Sequence, residues 1–181
     1  VLEQEQHRSD HLVHRDQAPE RRARDDPLQD LGRLAVPRRA VTDDAGVDGI
    51  HLETMSDLRE ARIGIAAVRA LSADIPLLAS LTFERKKRGF FTVMGDRLVP
   101  ALQALREAGA DVVGANCTLN SEQMVGCVRA LRAATALPII AQANAGQPVI
   151  GPDGRIGYSQ GLEDYVRFVP EIVLAGAGFV G

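Results

Sequence analysis

The sequence has few cysteines, no long apolar run and little net charge, and each shortage excludes a class of protein. Two cysteines among 181 residues are too few for a disulfide framework. No apolar stretch approaches the roughly 20 residues that span a bilayer, and no charged-then-apolar signal pattern opens the chain. A net charge of -3 gives no sign of a nucleic-acid partner. We therefore expect a cytoplasmic globular protein that binds neither nucleic acid nor membrane.

Residues 1–44 differ in composition from the rest of the chain. They are rich in Arg, Gln, His and Asp and lack a sustained apolar period, which is typical of a segment that buries little surface. His7, His11 and His14 have the spacing of one helical face, but no cysteine or carboxylate completes a metal site there in an ordered context. Two interpretations stay open: a polar, poorly structured segment, or a segment translated out of frame.

From residue 45 onward, short aliphatic runs recur at intervals of about 30 residues, as buried strands do. The runs are "AGVDGI" at 45–50, "IPLLAS" at 75–80, "AGADVV" at 108–113, "LPIIAQ" at 137–142 and "AGAGFV" at 175–180. A run that is apolar on both faces predicts a parallel strand covered by helices. Five parallel strands are therefore expected in residues 45–181.

The segments between these runs have the apolar period of helices. Helices are predicted at 56–72 with Ser56 as N-cap, at 97–108 with Gly109 ending the helix, at 121–135 behind Ser121, and at 161–175. Cys127 lies beside the apolar stripe of the third helix, which predicts a buried packing residue. Alternation of strands and helices at this period predicts a parallel sheet, either doubly wound or closed into an eight-stranded barrel.

Polar residues follow each of the first four runs and decide between these two folds. They are Glu53, Thr82, Asn116 with Cys117, and Asn144. Side chains from the carboxyl ends of several successive strands form the active site of an α/β barrel, whereas a doubly wound sheet uses one switch point. No GxGxxG or P-loop motif occurs, which weakens a nucleotide-binding interpretation. A barrel with its site at these strand ends is favoured.

Four motifs at these strand ends resemble the homocysteine S-methyltransferase family. "GVDGIHLETM", "LASLTF", "VVGANC" and "IIAQANAG" are similar, in order and spacing, to strands four to seven of the family's (β/α)8 barrel. The resemblance covers residues 45–181, which implies a partial TIM barrel from strand four to the start of strand eight. The 181 residues are accordingly expected to be a truncated copy that is inactive by itself.

The resemblance implies a zinc site and an amino acid substrate. Family members bind zinc through the cysteine of "GxNC", which Cys117 matches, and an adjacent pair in "GGCCG", which is not among the 181 residues. Zinc would lower the pKa of the homocysteine thiol, so that the thiolate can accept a methyl group. Glu53 matches the carboxylate that holds the amino acid moiety, and Asn144 matches a residue lining the site. Asn116 and Thr82 are weaker candidates for substrate binding, because turn or capping roles fit them equally.

The methyl donor stays open, with methylcobalamin and methyltetrahydrofolate as candidates and a corrinoid or folate module as a possible partner. Two alternatives to a methyltransferase remain: a non-catalytic fragment without metal or activity, and an unrelated α/β binding domain. His51 is expected to be a satisfied, buried histidine. The basic, aromatic segment 83–96 is expected to be a loop over the strand ends, closing on substrate or meeting a carrier of the methyl donor.

Overall fold

The computed structural model describes residues 46–181, in which five parallel strands form one sheet. The strands are β1 (Ile50–Met55), β2 (Leu77–Leu81), β5 (Val112–Asn120), β6 (Ile139–Asn144) and β9 (Phe179–Val180), adjacent in that order. Every neighbouring pair is parallel. The predicted parallel strands are therefore confirmed, and the N-terminal segment 1–44 with its histidines lies outside the described residues.

Helices connect the strands and cover one face of the sheet. They are α1 (Leu58–Leu71), α2 (Leu98–Ala108), α3 (Ser121–Ala134), α4 (Leu162–Arg167) and α5 (Val169–Leu174). One core joins their apolar stripes to alternate strand residues, among them Leu77, Ala79, Val113, Ala115, Ile139 and Ala141. The residues between these face away from the helices, because successive strand side chains point to opposite faces. The described helices include none with the length and apolarity to span a membrane.

The N-caps of two helices differ by one residue from those predicted, although α3 begins at Ser121 as expected. Asp57, rather than Ser56, caps α1 by accepting the Arg59 backbone N–H at 2.8 Å. Asn120, rather than Ser121, caps α3 in a capping box with Gln123. The predicted end of α2 is confirmed, since Gly109 adopts a left-handed conformation with φ 109°.

The predicted helix at 161–175 is two short helices that meet at Phe168. Phe168 ends α4 and caps α5, and Pro170 lies in the first turn of α5. A proline inside a continuous helix would remove the hydrogen bond to the carbonyl four residues earlier and would clash with it. The break between the two helices therefore accommodates Pro170. Ile172 of α5 remains buried in the core.

An antiparallel hairpin replaces the predicted loop at 83–96, and a second hairpin lies at 148–158. Residues 83–96 contain β3 (Phe83–Lys86) and β4 (Gly89–Thr92), and residues 148–158 contain β7 (Pro148–Ile150) and β8 (Ile156–Tyr158). A Cβ added at Gly126 of α3 would lie 3.7 Å from the Phe90 ring. The first hairpin thus packs its aromatic side chain against the helical layer, which corrects the prediction of a loop that closes over the strand ends.

Arginines near the helix ends tie the helical layer to the opposite, amino-terminal end of the sheet. Arg69 of α1 donates to the carbonyl oxygens of Gly109 at 2.9 Å and Ile75 at 2.8 Å, and pairs with Asp111 at 2.6 Å. Arg132 of α3 donates to the carbonyls of Thr135 and Leu137. These bonds satisfy carbonyls in the connections between helices and strands, and they fix the strands that carry the candidate site.

Candidate functional site

The carboxyl ends of β1, β2, β5 and β6, called the rim below, carry all the site residues predicted from the sequence. Glu53 is exposed at the end of β1, and Thr82 is buried directly after β2. Asn116 is buried in β5, whereas Cys117 beside it and Asn144 at the end of β6 are half-buried. Parallel strands place these ends on one edge of the sheet.

Asn116 connects the ends of β1 and β5 through its side-chain amide. Its Oδ1 accepts the Thr54 backbone N–H at 3.0 Å and the Ser80 hydroxyl at 2.8 Å. Its Nδ2 donates to Thr54 Oγ1 at 2.6 Å and to Glu53 Oε1 at 3.4 Å. A carboxamide offers two donors and two acceptor lone pairs. All four are used within the protein, so the arrangement holds Asn116 rigidly beneath the Glu53 carboxylate.

His51 extends this network on the side of the sheet that faces away from the helices. Its Nε2 lies 3.0 Å from Ser80 Oγ. Ser80 is fully buried, and His51 is half-buried on β1 two residues before Glu53. The prediction that His51 is a satisfied histidine is therefore confirmed, although it is less buried than expected.

Cys117 occupies a strained bulge in β5. Cys117 and Thr118 both have left-handed backbones, with φ 62° and 50°, and the pairing of β5 with β6 shifts register between Asn116 and Asn120. Left-handed conformations cost non-glycine residues energy, most of all β-branched ones, and they cluster at functional sites. Thr54, with φ 59°, is the third such non-glycine residue in the described part of the chain, and it also lies on the rim.

The Cys117 sulfur lies near Asn144 and outside the helical core. Asn144 Nδ2 is 3.8 Å from Cys117 Sγ, a weak N–H to sulfur contact. Thr118 Oγ1 donates to the Phe83 carbonyl at 2.6 Å, and Gln147 Nε2 donates to the Thr118 carbonyl at 2.9 Å. These two bonds from neighbouring segments hold the bulge, so the thiol is kept at the rim instead of packing under α3.

Two buried polar atoms near the rim have no hydrogen-bond partner within the described part of the chain. They are Thr82 Oγ1 and Gln142 Oε1. Gln142 pairs in register with Asn116 and, like it, points away from the helices. Buried polar atoms usually find partners, so both are available to a polar ligand. Sequence reasoning missed Gln142, although its polar side chain inside the run "IIAQAN" is a visible signal.

Cys127 lies away from the rim, and the chemical environment of its thiol differs from that of Cys117. It is fully buried on α3, and burial raises the pKa of its thiol to about 12. In residues 46–181, no group of three or more His, Cys, Asp or Glu side chains could hold a metal ion. The rim residues therefore supply one sulfur ligand, Cys117, and do not by themselves fit a complete zinc site.

The fold and the rim together define part of an α/β barrel of the kind that carries an active site at the carboxyl ends of its strands. The model of the family described as homocysteine S-methyltransferase matches residues 16–181. The chain belongs to this family, and an unrelated α/β domain is excluded. The match includes residues 16–44, although their composition differs from that of residues 45–181.

Related proteins agree with this membership. The methionine synthase of Mycobacterium tuberculosis (strain ATCC 25618 / H37Rv) is 29% identical over 156 residues, which are 81% of this chain and 12% of that protein. The methionine synthase of Mycobacterium leprae (strain TN) is 27% identical over 141 residues, 76% of this chain and 11% of that protein. The chain thus spans about one eighth of the length of these relatives.

Solved structures share the fold. The apo form of the homocysteine methyltransferase MmuM from Escherichia coli superposes with a TM-score of 0.58 at 20% identity, covering 85% of this chain and 51% of that one. The metallated form of the same enzyme gives a TM-score of 0.57 at 24% identity, covering 76% of this chain and 41% of that one. At these identities the similarity concerns the fold, and the shared part is about half a barrel.

Proposed function

We propose that this chain forms the homocysteine-binding half of a zinc-dependent methyltransferase that produces methionine. The observation that carries the proposal is the position of Cys117, on a strained bulge at the rim, one residue after the asparagine that bonds Glu53. Cys117 would be a ligand of the zinc ion that binds the substrate thiol, and the Glu53 carboxylate would bind the substrate ammonium group. A thiol-containing amino acid would use both contacts. In the reaction, the homocysteine thiol releases its proton to solvent, and its sulfur forms a bond to the methyl carbon as the bond from that carbon to the donor breaks and the donor keeps the electron pair of that bond.

Each rim residue has a separate role in this proposal. Glu53 binds the substrate ammonium group, and its exposure at the end of β1 leaves the carboxylate accessible. Asn144 lines the site beside Cys117 and orients the Cys117 sulfur by donating a weak hydrogen bond to it. The unpartnered hydroxyl of Thr82 is available to a polar group of the substrate. Asn116 acts indirectly, because its four hydrogen-bonding positions are already occupied.

Zinc is part of the proposal, but residues 46–181 do not complete its site. Cys117 is proposed as one ligand, and Cys127 is excluded as another because it is buried in the helical layer. A zinc site with three protein ligands needs two more besides Cys117, and these would have to come from residues outside 46–181. We therefore expect the 181-residue polypeptide to bind zinc weakly and to transfer no methyl group by itself, which makes a non-catalytic fragment the second candidate. The methyl donor, methylcobalamin or methyltetrahydrofolate on a separate module, stays open.

The test compares zinc content and methionine formation in two polypeptides. One is the 181-residue chain, and the other, called the extended protein, joins this chain to further barrel strands and to a segment with an adjacent cysteine pair. The extended protein is expected to hold one zinc ion per chain and to methylate homocysteine with one of the two donors. Elemental analysis measures the metal, and mass spectrometry measures methionine.

Matched cysteine variants separate a ligand from a packing residue. In the extended protein, Cys117→Ala should abolish both stoichiometric zinc and methylation, whereas Cys127→Ala should keep both as long as the protein folds. Tight stoichiometric zinc in the 181-residue chain would contradict the proposed ligand set. Activity that survives Cys117→Ala would contradict the assignment of Cys117.

A further inference from the structure

A ring of hydrogen bonds begins and ends on β1 and passes through β2 and β5. It runs from His51 to Ser80 at 3.0 Å, from Ser80 to Asn116 at 2.8 Å, and from Asn116 back to Thr54 and Glu53. His51 and Glu53 are two residues apart on one strand and so point to the same face. The ring therefore links a half-buried histidine to the carboxylate at the rim without a direct contact between the two.

The direction of every hydrogen bond in the ring is fixed by chemistry. The Thr54 backbone N–H can only donate, so the Asn116 atom that accepts this bond is the amide oxygen and the Asn116 amide has one orientation. Asn116 Oδ1 must then accept the single hydroxyl proton of Ser80. With that proton used, Ser80 Oγ can only accept from His51, which requires a proton on His51 Nε2.

We infer that His51 and Ser80 are positioning residues that orient the Glu53 carboxylate through Asn116. The inference rests on the proposed function, because the orientation matters when Glu53 binds an ammonium group. Without the Ser80 proton, the Asn116 carboxamide loses one of the two donors to its oxygen and can rotate. Rotation would release both Glu53 and the left-handed Thr54, which is bonded to the same amide through its backbone N–H and its side-chain hydroxyl oxygen.

Conservative and disruptive variants at His51 test the inference. His51→Gln keeps an N–H donor at a similar reach, whereas His51→Leu removes the donor and keeps an apolar side chain of moderate size. Titration of the extended, zinc-containing protein with L-homocysteine should show about tenfold weaker binding for His51→Leu and for Ser80→Ala, a loss typical of one buried hydrogen bond, and near-parental binding for His51→Gln. A thiol without an amino acid group should bind all variants equally.

Hydrogen exchange measures the ring independently of substrate. The Thr54 amide proton should exchange about tenfold faster in His51→Leu than in the parent chain, whereas the Val113 amide in the centre of the sheet should be unchanged. His51→Gln should restore the protection of Thr54. Equal exchange at Thr54 in all variants would overturn the inference, and so would homocysteine binding by His51→Leu that is as tight as the binding measured for the parent.

The two arms distinguish failure of the inference from failure of the proposed function. An extended, zinc-containing parent protein that does not bind L-homocysteine would contradict the substrate assignment. In that case, faster exchange at Thr54 in His51→Leu, together with restored protection in His51→Gln, would still support the positioning role. A Ser80→Ala variant that folds, as judged by circular dichroism, should lose at least as much Thr54 protection as His51→Leu, because Ser80→Ala removes the hydroxyl that donates to Asn116, whereas His51→Leu removes only the donor that orients this hydroxyl.

Discussion

The side-chain amide of Asn144 lies 3.8 Å from the sulfur of Cys117, although the two residues are 27 positions apart in the sequence. The contact joins the ends of β6 and β5, and it exists because the bulge after Asn116 lifts Cys117 out of the regular ladder. In an unbroken strand, Cys117 would point to the opposite face from Asn116, toward the helices. The left-handed backbone thus decides whether the thiol is a rim group or a packing group.

The two thiols should differ sharply in their reaction with an alkylating reagent. Cys117 is half-buried at the rim, whereas Cys127 is fully buried and its pKa is raised to about 12. Because the thiolate is the nucleophile, we expect brief treatment with iodoacetamide at neutral pH to label Cys117 alone. Peptide mass spectrometry identifies the labelled residue, and denaturant should expose both. Protection of Cys117 in the native chain would show that its sulfur packs in the helical layer.

Burial of Cys127 should make the fold sensitive to alkali. The pKa of this thiol is raised from 9.0 in the unfolded reference to about 12 in the folded chain. The folded state therefore keeps a proton that the unfolded state loses, and the stabilising contribution falls as the pH rises through this interval. Denaturant unfolding at several pH values should show a shallower alkaline decline for Cys127→Val than for the parent. Identical pH dependence in both proteins would be the contrary result.

Close approach of two strands should make Gly114 intolerant of any side chain. A Cβ at Gly114 would overlap the carbonyl oxygen of Ile140 on β6, and that backbone cannot move without breaking the sheet. We expect Gly114→Ala to lower the free energy of unfolding by roughly 3 kcal/mol, as overpacking does. Gly157→Ala in the exposed β8 is the control, because a Cβ added there would meet nothing within 4 Å. A neutral Gly114→Ala in chemical denaturation would contradict the close strand contact.

The parallel strands were predictable because their signal is local and strong. The run "IPLLAS" predicts a strand at 75–80, and β2 covers Leu77–Leu81. Helix starts were less predictable, since Ser56 and Asp57 are both good caps and adjacent. Only the folded structure shows that Asp57, and not Ser56, accepts the hydrogen bond from the Arg59 backbone N–H. The hairpin of β3 and β4 was missed because its charged turn, Lys86 to Gly89, has the composition of an ordinary loop.

The positions of the candidate residues at the strand ends were predictable, but their geometry was not. Strand periodicity places Glu53, Asn116 and Asn144 at strand ends, and the family motif indicates Cys117. No local pattern indicates that Cys117, Thr118 and Thr54 adopt left-handed backbones, because none of these residue types favours that region. The strain is maintained by contacts between distant segments, such as the bond from Thr118 to the Phe83 carbonyl. Such contacts exist only in the folded chain.

Strain at Cys117 should reverse the usual order of alanine and glycine in stability. In an ordinary strand, glycine is less stable than alanine by about 0.5–1 kcal/mol because it loses more backbone freedom on folding. At φ 62° the left-handed backbone costs an alanine roughly 1 kcal/mol, a cost that glycine avoids. We therefore expect Cys117→Gly to unfold at higher denaturant concentration than Cys117→Ala. Ala143→Gly in β6 is the control for the ordinary order, since Ala143 is not among the residues with positive φ, and it should destabilise. If Cys117→Gly were the less stable of the two variants, the bulge would not be strained, and the thiol would owe its position to side-chain contacts instead of the backbone.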